Sequence, residues 1–285
     1  MSRIKIALQK SGRLSEESFD LLSQCGIKIA KGDRKLFASS NNFPLDVLFL
    51  RDDDIPEYVE KGIADIGIVG ENVVWETTNT PQIIKHLGFG KCRLSLAVGK
   101  EEDYQGIDYF SGGCIATSYP KTLKKFLAKS KISADIEYIK GSVEIAVGIG
   151  LAQGIFDIVS TGSTLMMNGL KEVEVLARSE AVLIKNASLD AETANILDQL
   201  IFRIESVLSA KSHKYIMLNA PLDCVEQISA LLPGIKSPTI VPLVENGWCS
   251  IHSVIAEDEF WEIIDSLRII GAKGILVLPI EKMVS

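Results

Sequence analysis

Short apolar runs alternating with stretches of helical period limit most strongly what this chain can become. Ile4–Leu8, Leu45–Leu50, Leu94–Val98, Cys114–Thr117, Ile136–Ile139 and Ala181–Ile184 are each bounded by polar or turn residues and read as strands. Between them, Glu16–Gln24 and Lys121–Lys129 carry helical patterns. Strands that alternate with helices predict an α/β fold. Two αβ lobes of roughly 90 residues each, an ordinary domain size, would enclose a cleft. The expected boundaries are 1–98 with 185–211 for the first lobe and 99–184 for the second.

An internal similarity supports two lobes. Gly62-Ile-Ala-Asp65-Ile-Gly-Ile-Val-Gly70 recurs as Gly154-Ile-Phe-Asp157-Ile-Val-Ser-Thr-Gly162. Each reads as a glycine helix stop, a buried strand and a glycine turn. Generic αβ chemistry would give the same likeness by chance, so repetition and coincidence both stand. The preceding helices are expected at Pro56–Lys61 and Val143–Gln153. The second has Ser142 as a candidate cap, Glu144 in its first turn and an apolar stripe of Val143, Ala146, Val147 and Leu151. Ile155–Val159 is almost continuously apolar, as a strand buried on both faces would be.

The tail is of another kind. Asp190–Leu208 reads as an amphipathic helix. Then come Tyr215–Leu218 (strand), Leu222–Leu231 (helix), Thr239–Val244 and Cys249–Ile255 (strands), Glu259–Ile270 (helix) and Gly274–Pro279 (strand). Asn246-Gly247 marks a hairpin. The order βαββαβ is ferredoxin-like and predicts a separate domain over 212–285. It carries no acid–base or nucleophile constellation, so its role reads as regulation or assembly.

Composition excludes several classes. Five cysteines, at 25, 92, 114, 224 and 249, lack C-x-x-C spacing, and His86, His213 and His252 lack ligand spacing. A disulfide framework or structural zinc site is not expected. A net charge of −7 argues against general nucleic-acid binding. No apolar run reaches the roughly 18 residues that span a bilayer. Met1–Leu8 is too quickly polar for a secretory signal.

The chemistry concentrates in Asp157–Leu170, where a buried strand delivers a carboxylate into a loop rich in hydroxyls. Gly162 permits a tight backbone turn, and Thr161, Ser163 and Thr164 offer hydroxyl donors. Thr164–Asn168 can form a helical turn stopped by Gly169, its free N–H groups facing an anion. Asp157 suits the hydroxyls of a sugar attached to that anion. A sugar-phosphate cradle and an ordinary strand–turn–helix link both satisfy this pattern.

Asp157–Leu170 resembles the phosphoribosyl-pyrophosphate loop of ATP phosphoribosyltransferase, the first enzyme of histidine biosynthesis. Leu8–Leu14, Arg51–Pro56, Asp65–Asn72, Cys92–Ala97, Ala116–Pro120 and Gly141–Glu144 resemble the same family, as do Ser237–Ile240 and Gly271–Leu276. The tail makes the chain similar to the long form, whose C-terminal domain binds histidine as a feedback inhibitor. The resemblance implies a body like type 2 periplasmic binding proteins, an ACT-like tail and a cytoplasmic location. It also implies ATP and phosphoribosyl pyrophosphate as substrates, Mg²⁺ dependence, and a homo-hexamer with dimers as the alternative. Lys10, Arg13, Glu144 and Asp157 become the catalytic candidates. Gly12, Gly70, Glu71, Tyr119, Ser160, Thr161, Gly162, Ser163, Thr164 and Leu165 become substrate-binding candidates. Asn219, Thr239, Val254 and Gly274 become regulatory candidates. Mg²⁺ is expected mainly on substrate oxygens, with no protein ligand assigned.

Residue chemistry leaves several of these roles open. Lys10 and Arg13 follow the first strand, at the end where open α/β sheets bind ligands, and can neutralise phosphate oxygens; solvated surface charge is the plainer reading. Glu144 suits either a helix dipole or substrate hydroxyls. Tyr119, before Pro120, suits stacking on adenine, a bond to phosphate or packing. Asp52, Asp53 and Asp54 have the look of metal ligands, but a helix cap with solvated neighbours before Pro56 is the preferred reading. Asp65 reads as the counterpart of Asp157. A solute-binding protein or a non-catalytic sensor would share the fold.

Overall fold

The computed structural model describes residues 2–29, 36–79, 81–232 and 234–284. Along the chain come β1 (Ile4–Gln9), α1 (Arg13–Gln24), β2 (Phe37–Ser39), β3 (Leu45–Leu50), α2 (Ile55–Glu60), β4 (Ile66–Gly70), α3 (Glu71–Trp75) and β5 (Gln82–His86). Next are β6 (Cys92–Gly99), β7 (Cys114–Thr117), α4 (Pro120–Ser130), β8 (Asp135–Tyr138), β9 (Gly154–Val159), α5 (Ser163–Met167), β10 (Leu170–Ser179) and β11 (Ala181–Lys185). The remainder is α6 (Ala191–Lys211), β12 (His213–Pro221), α7 (Val225–Leu231), β13 (Thr239–Pro242), β14 (Trp248–Ala256), α8 (Glu257–Ile270) and β15 (Lys273–Pro279).

These strands make three sheets, ordered β2-β3-β1-β4-β11-β5, β10-β6-β9-β7-β8 and β13-β14-β12-β15. The first two lie in a unit of Met1–Asp20 and Lys28–Ile196, and the third in a unit of Leu21–Ile27 and Leu197–Ser285. In the first unit the two sheets are wired alike. β3, β1 and β4 run parallel, and β11 and β5 follow antiparallel. β8, β7 and β9 run parallel, and β6 and β10 follow antiparallel. Each sheet is the floor of one lobe.

The expected lobe boundaries shift accordingly. β6 belongs to the second lobe's sheet, not the first, and β11 to the first lobe's sheet, not the second. The chain crosses between lobes after β5 and returns before β11. An apolar run alone cannot tell which of two sheets a strand joins, because both offer the same buried surroundings. Ile4, Ile6, Ala7 and Leu8 of β1 and Ile66, Ile68 and Val69 of β4 are all fully buried, as strands covered on both faces require.

The internal repeat is real in topology and displaced in sequence. β4 and β9 hold equivalent places in their sheets, and Gly70 and Gly162 both precede a short helix. The strands, however, start at Ile66 and Gly154. Asp65 therefore precedes its strand, where its carboxylate accepts the Lys5 N–H at 2.7 Å. Asp157 sits inside its strand, so the two aspartates are not counterparts.

Val143–Gln153 is not a helix. Only Val143–Ile145 forms a 3₁₀ turn, and Ser142 has φ 51°, so it does not cap. Gly148 and Gly150 (φ 73°) follow, and their conformational freedom overrides the apolar stripe. The Asp52–Asp54 cap also fails: the three residues form a 3₁₀ turn, and Asp54, at the cap position of α2, makes no side-chain cap bond.

The second unit keeps the expected order. Its sheet reads β15-β12-β14-β13, the ferredoxin-like arrangement, with all pairs antiparallel. Ile216, Leu218, Ala220, Cys249, Ile251 and Ile255 pack with Ile228 of α7 and Leu267 of α8. Because side chains alternate across a strand, Asn219, His252 and Val254 take the opposite face. No described helix is long and apolar enough to cross a membrane.

Candidate active site

Two adjoining cavities lie where the lobes meet, beyond the carboxyl ends of the parallel strands. The smaller, ≈ 220 Å³, has Gln9, Arg13, Gly70 and Asn72 on one side and Cys92, Ile158 and Ser160 on the other. The larger, ≈ 540 Å³, has Asp53 and Glu76 facing Ser118, Tyr119, Tyr138, Lys140 and Gly141. Asp52 and Val73 line both. Ligands bind at this end of open α/β sheets because loops there, not strands, supply the free polar groups.

Asp157 is the carboxylate here displaced furthest from its ordinary value. Burial pushes its carboxyl up to about 6, partly offset by the Ile158 N–H bonded to it at 2.7 Å, and the Glu144 carboxylate pushes in the same direction as burial. At neutral pH it is ionised and poorly solvated, and so ready to accept hydroxyls. Glu144 reaches this neighbourhood through the 3₁₀ turn after Ser142. Asp52 is likewise pushed above its usual value by burial and by Asp53. Asp53 itself faces Lys140 at 3.5 Å.

The loop after β9 is held from outside the cleft. The Arg93 guanidinium donates to Ser160 O at 2.9 Å and grips Glu172 with two further bonds. Gly162 takes φ 83° and opens α5. The hydroxyls of Thr161 and Ser163 are 3.0 Å apart. Leu165 is buried with Val159 and Leu170, anchoring the loop. Thr161 and Gly162 border a further cavity of ≈ 380 Å³, together with Arg93, Lys100 and Lys171.

The expected residues are brought together unevenly. Arg13, Gly70, Tyr119 and Ser160 line the cleft. Gly12, at φ 95°, makes the turn between β1 and Arg13. Lys10 is exposed and lines neither cleft cavity; its N–H donates to Leu50 O. Glu71 is turned aside, its carboxylate 3.6 Å from His86 Nε2. Ser163 and Thr164 are exposed on α5. In the tail, Thr239 pairs with His252, Asn219 with Ser250 and Val254 with Tyr215. That register puts Thr239, Asn219 and Val254 on the face the helices leave uncovered. Gly274, at φ 56°, lies beside Asn219: a Cβ there would be 3.6 Å from Asn219 Nδ2.

Two groups had no local signature. Glu76 accepts the Lys121 N–H at 2.9 Å and the Thr122 N–H at 2.8 Å, so a carboxylate of the first lobe caps α4 of the second. Asn72 bonds Ser179 and reaches Tyr119 across the cleft. Asn72 lay within the stretch Asp65–Asn72, and that is the only signal that marked it.

Comparison with known proteins defines the class: this is a glycosyltransferase that handles a phosphoribosyl group. The family model described as ATP phosphoribosyltransferase matches residues 51–206, and that of the HisG C-terminal domain matches 210–282. The chain therefore belongs to the ATP phosphoribosyltransferase family, in its long form. An ATP phosphoribosyltransferase of Bacteroides thetaiotaomicron is 55% identical over 99% of both chains. One of Cytophaga hutchinsonii is 56% identical over 99% of this chain and 98% of the relative. A solved ATP phosphoribosyl transferase (HisG:HisZ) complex from Thermotoga maritima matches with TM-score 0.61 and 25% identity, over 72% of this chain and 98% of that one.

Proposed function

We propose that the chain joins N1 of the adenine of ATP to C1 of phosphoribosyl pyrophosphate, giving phosphoribosyl-ATP and pyrophosphate, the first step of histidine biosynthesis. The observation that carries this reading is the half-buried carboxylate of Asp157, its pKa raised by desolvation, at the head of the hydroxyl-bearing loop Ser160–Thr164. Asp157 receives the ribose hydroxyls. The hydroxyls of Thr161, Ser163 and Thr164 hold the phosphate on the same sugar. As the bond to pyrophosphate stretches, positive charge grows on the ribose, and the carboxylates of Asp157 and Glu144 are placed to stabilise it. Arg13, with Lys10 beside it in the chain, neutralises the departing pyrophosphate. The lone pair of adenine N1 is the nucleophile, so no protein nucleophile is needed and positioning dominates.

Among the described residues, no three His, Cys, Asp or Glu side chains converge as a metal cage. Asp52 lines both cleft cavities, while Asp53 faces Lys140 and Glu76 caps α4. Mg²⁺ would then arrive on polyphosphate oxygens. There the ion would shield charge and make pyrophosphate a better leaving group. An ultraviolet assay of the purified chain with ATP, phosphoribosyl pyrophosphate and Mg²⁺ tests the whole reading. Turnover that is lost in excess EDTA is expected, and full activity in EDTA sinks the metal role. Gly162→Val is expected to weaken phosphoribosyl-pyrophosphate binding by about 10-fold or more, since a β-branched side chain is strained at φ 83° and would distort the loop. Calorimetric titration that finds unchanged affinity in the folded variant removes the loop from the site.

Free histidine is the proposed inhibitor, bound on the uncovered face of the tail sheet by Asn219 and Thr239, with backbone near Val254 and Gly274 completing the site. Inhibition at a distance requires that histidine favour a less active arrangement, and a homo-hexamer exchanging with dimers supplies one. Thr239→Val is expected to raise the histidine concentration for half inhibition about 10-fold with uninhibited turnover unchanged. An unaltered inhibition curve moves the site elsewhere.

A further inference from the structure

Asn72 is 4% exposed, and every polar atom of its side chain is committed. Its backbone N–H donates to Ser179 Oγ at 3.0 Å, and the Ser179 hydroxyl donates back to Asn72 Oδ1 at 2.8 Å. Ser179 has one proton to give, and Oδ1 takes it, while Ser179 Oγ accepts from the Asn72 N–H and from the neighbouring Cys92 thiol, which burial keeps protonated. This exchange fixes the amide: Oδ1 faces Ser179, and Nδ2 faces across the cleft, where it donates to Tyr119 Oη at 3.3 Å. An amide nitrogen is only a donor. Tyr119 Oη therefore accepts, and its own proton is left to point away from Asn72. Among the described residues no hydrogen bond takes up that proton, and the Asp157 carboxylate is near enough to raise the phenol's pKa.

Gly70 gives independent support. A Cβ on Gly70 would come within 2.5 Å of Asn72 Oδ1. The bare α-carbon leaves the room that the folded-back amide occupies. Tyr119 meanwhile lines the larger cleft cavity.

We propose that Asn72 and Ser179 are a positioning pair that holds the Tyr119 hydroxyl as a hydrogen-bond donor to an anionic oxygen of the substrate in the cleft. The chain of donation runs one way: Ser179 to Asn72 Oδ1, Asn72 Nδ2 to Tyr119 Oη, and Tyr119 O–H to the substrate. Burial, reinforced by the carboxylate of Asp157, holds the phenol well above its usual pKa, so it keeps its proton at neutral pH. The proposal rests on the phosphoribosyl-transfer reading, which identifies the anion as a phosphate or pyrophosphate oxygen.

The test is a double-mutant cycle on the full chain, with kcat/KM, KM and Tm measured for each variant. Asn72→Asp keeps the shape but offers only acceptors, so the tyrosine proton turns back toward it. Its kcat/KM is expected to fall about 10- to 100-fold, the worth of one hydrogen bond to a charged group, and Tyr119→Phe is expected to fall as far. The double variant should fall no further than the worse single one. Repulsion of substrate by the new charge would instead persist in the Tyr119→Phe background, and that additivity overturns the proposal. So does a Tyr119→Phe variant with parental kinetics. If Asn72→Asp does not fold, Ser179→Ala replaces it: the freed amide is expected to lower kcat/KM several-fold in the parent and not at all beside Tyr119→Phe. A parent chain without turnover fails the reaction and not the pair. The same cycle is then read by calorimetric binding of phosphoribosyl pyrophosphate, where non-additive weakening supports the pair and unchanged or additive affinities overturn it.

Discussion

Exchange of Asp157 for asparagine is expected to lower kcat/KM by about 100-fold or more, while the protein melts no earlier than the parent. A carboxylate that accepts two sugar hydroxyls gives two charge-assisted bonds, each worth about 1.5–3 kcal/mol. Asparagine keeps the shape but only one acceptor oxygen, and it cannot oppose a positive ribose. The parent itself should show an acid limb in kcat/KM near the raised value of about 6, because that parameter reports the free enzyme. The stability effect has the opposite sign. Asp157 binds its proton more tightly folded than unfolded, since its value rises from 3.8 to about 6. Between those values the folded state holds more protons than the unfolded one, so stability falls as pH rises through this window and the ionised form is a burden above it. Neutral asparagine removes that burden, and Tm at pH 7 to 8 is expected to rise. A kcat/KM within threefold of the parent would show that Asp157 does not face the reacting sugar.

Replacement of Gly154 by alanine is expected to destabilise the protein by about 2–3 kcal/mol, as overpacking of a close-packed interior does. A Cβ there would stand 2.6 Å from the Phe110 ring and 2.8 Å from the Ala97 carbonyl oxygen. Phe110 is fully buried, and the carbonyl belongs to the neighbouring strand, so neither can retreat cheaply. For a unit of this size the melting temperature should drop by roughly 5–10 °C. Thermal unfolding followed by circular dichroism measures it, and a drop under 2 °C would mean that the second lobe yields locally at this point.

Gly154 also illustrates what the sequence could and could not tell. The apolar strands were legible because a run such as Ile4–Leu8 has few alternatives to a doubly covered strand. The tail was legible because its elements are local and separated by strong turns. Gly154 looked like a helix stop because glycine signals are ambiguous: the same residue serves a left-handed cap and a close approach of ring and backbone. Val143–Gln153 has a helical apolar period, but Gly148 and Gly150 within it free the backbone from that pattern. Of the candidate site, the loop Asp157–Leu165 was readable because it is contiguous. The contacts across the cleft were not. Asn72 and Ser179 are 107 positions apart, and Glu76 caps a helix 45 positions away. Such pairs leave no spacing to read.

The placement of β11 between β4 and β5 sets the order in which the chain can be assembled. The second lobe's sheet draws all its strands from one unbroken stretch, Cys92–Ser179. The first lobe has no such independence. β5 has left the ribosome long before β11, yet it pairs with nothing else in its sheet, and Val182 must arrive before His86 finds its partner. Domains fold largely as they emerge, so the second lobe can be complete while the first still carries an unpaired apolar edge along β4. For that interval the nascent chain is exposed to edge-to-edge aggregation. Slow decoding between β5 and β11 would prolong the interval, and a holdase chaperone that covers β4 would protect it.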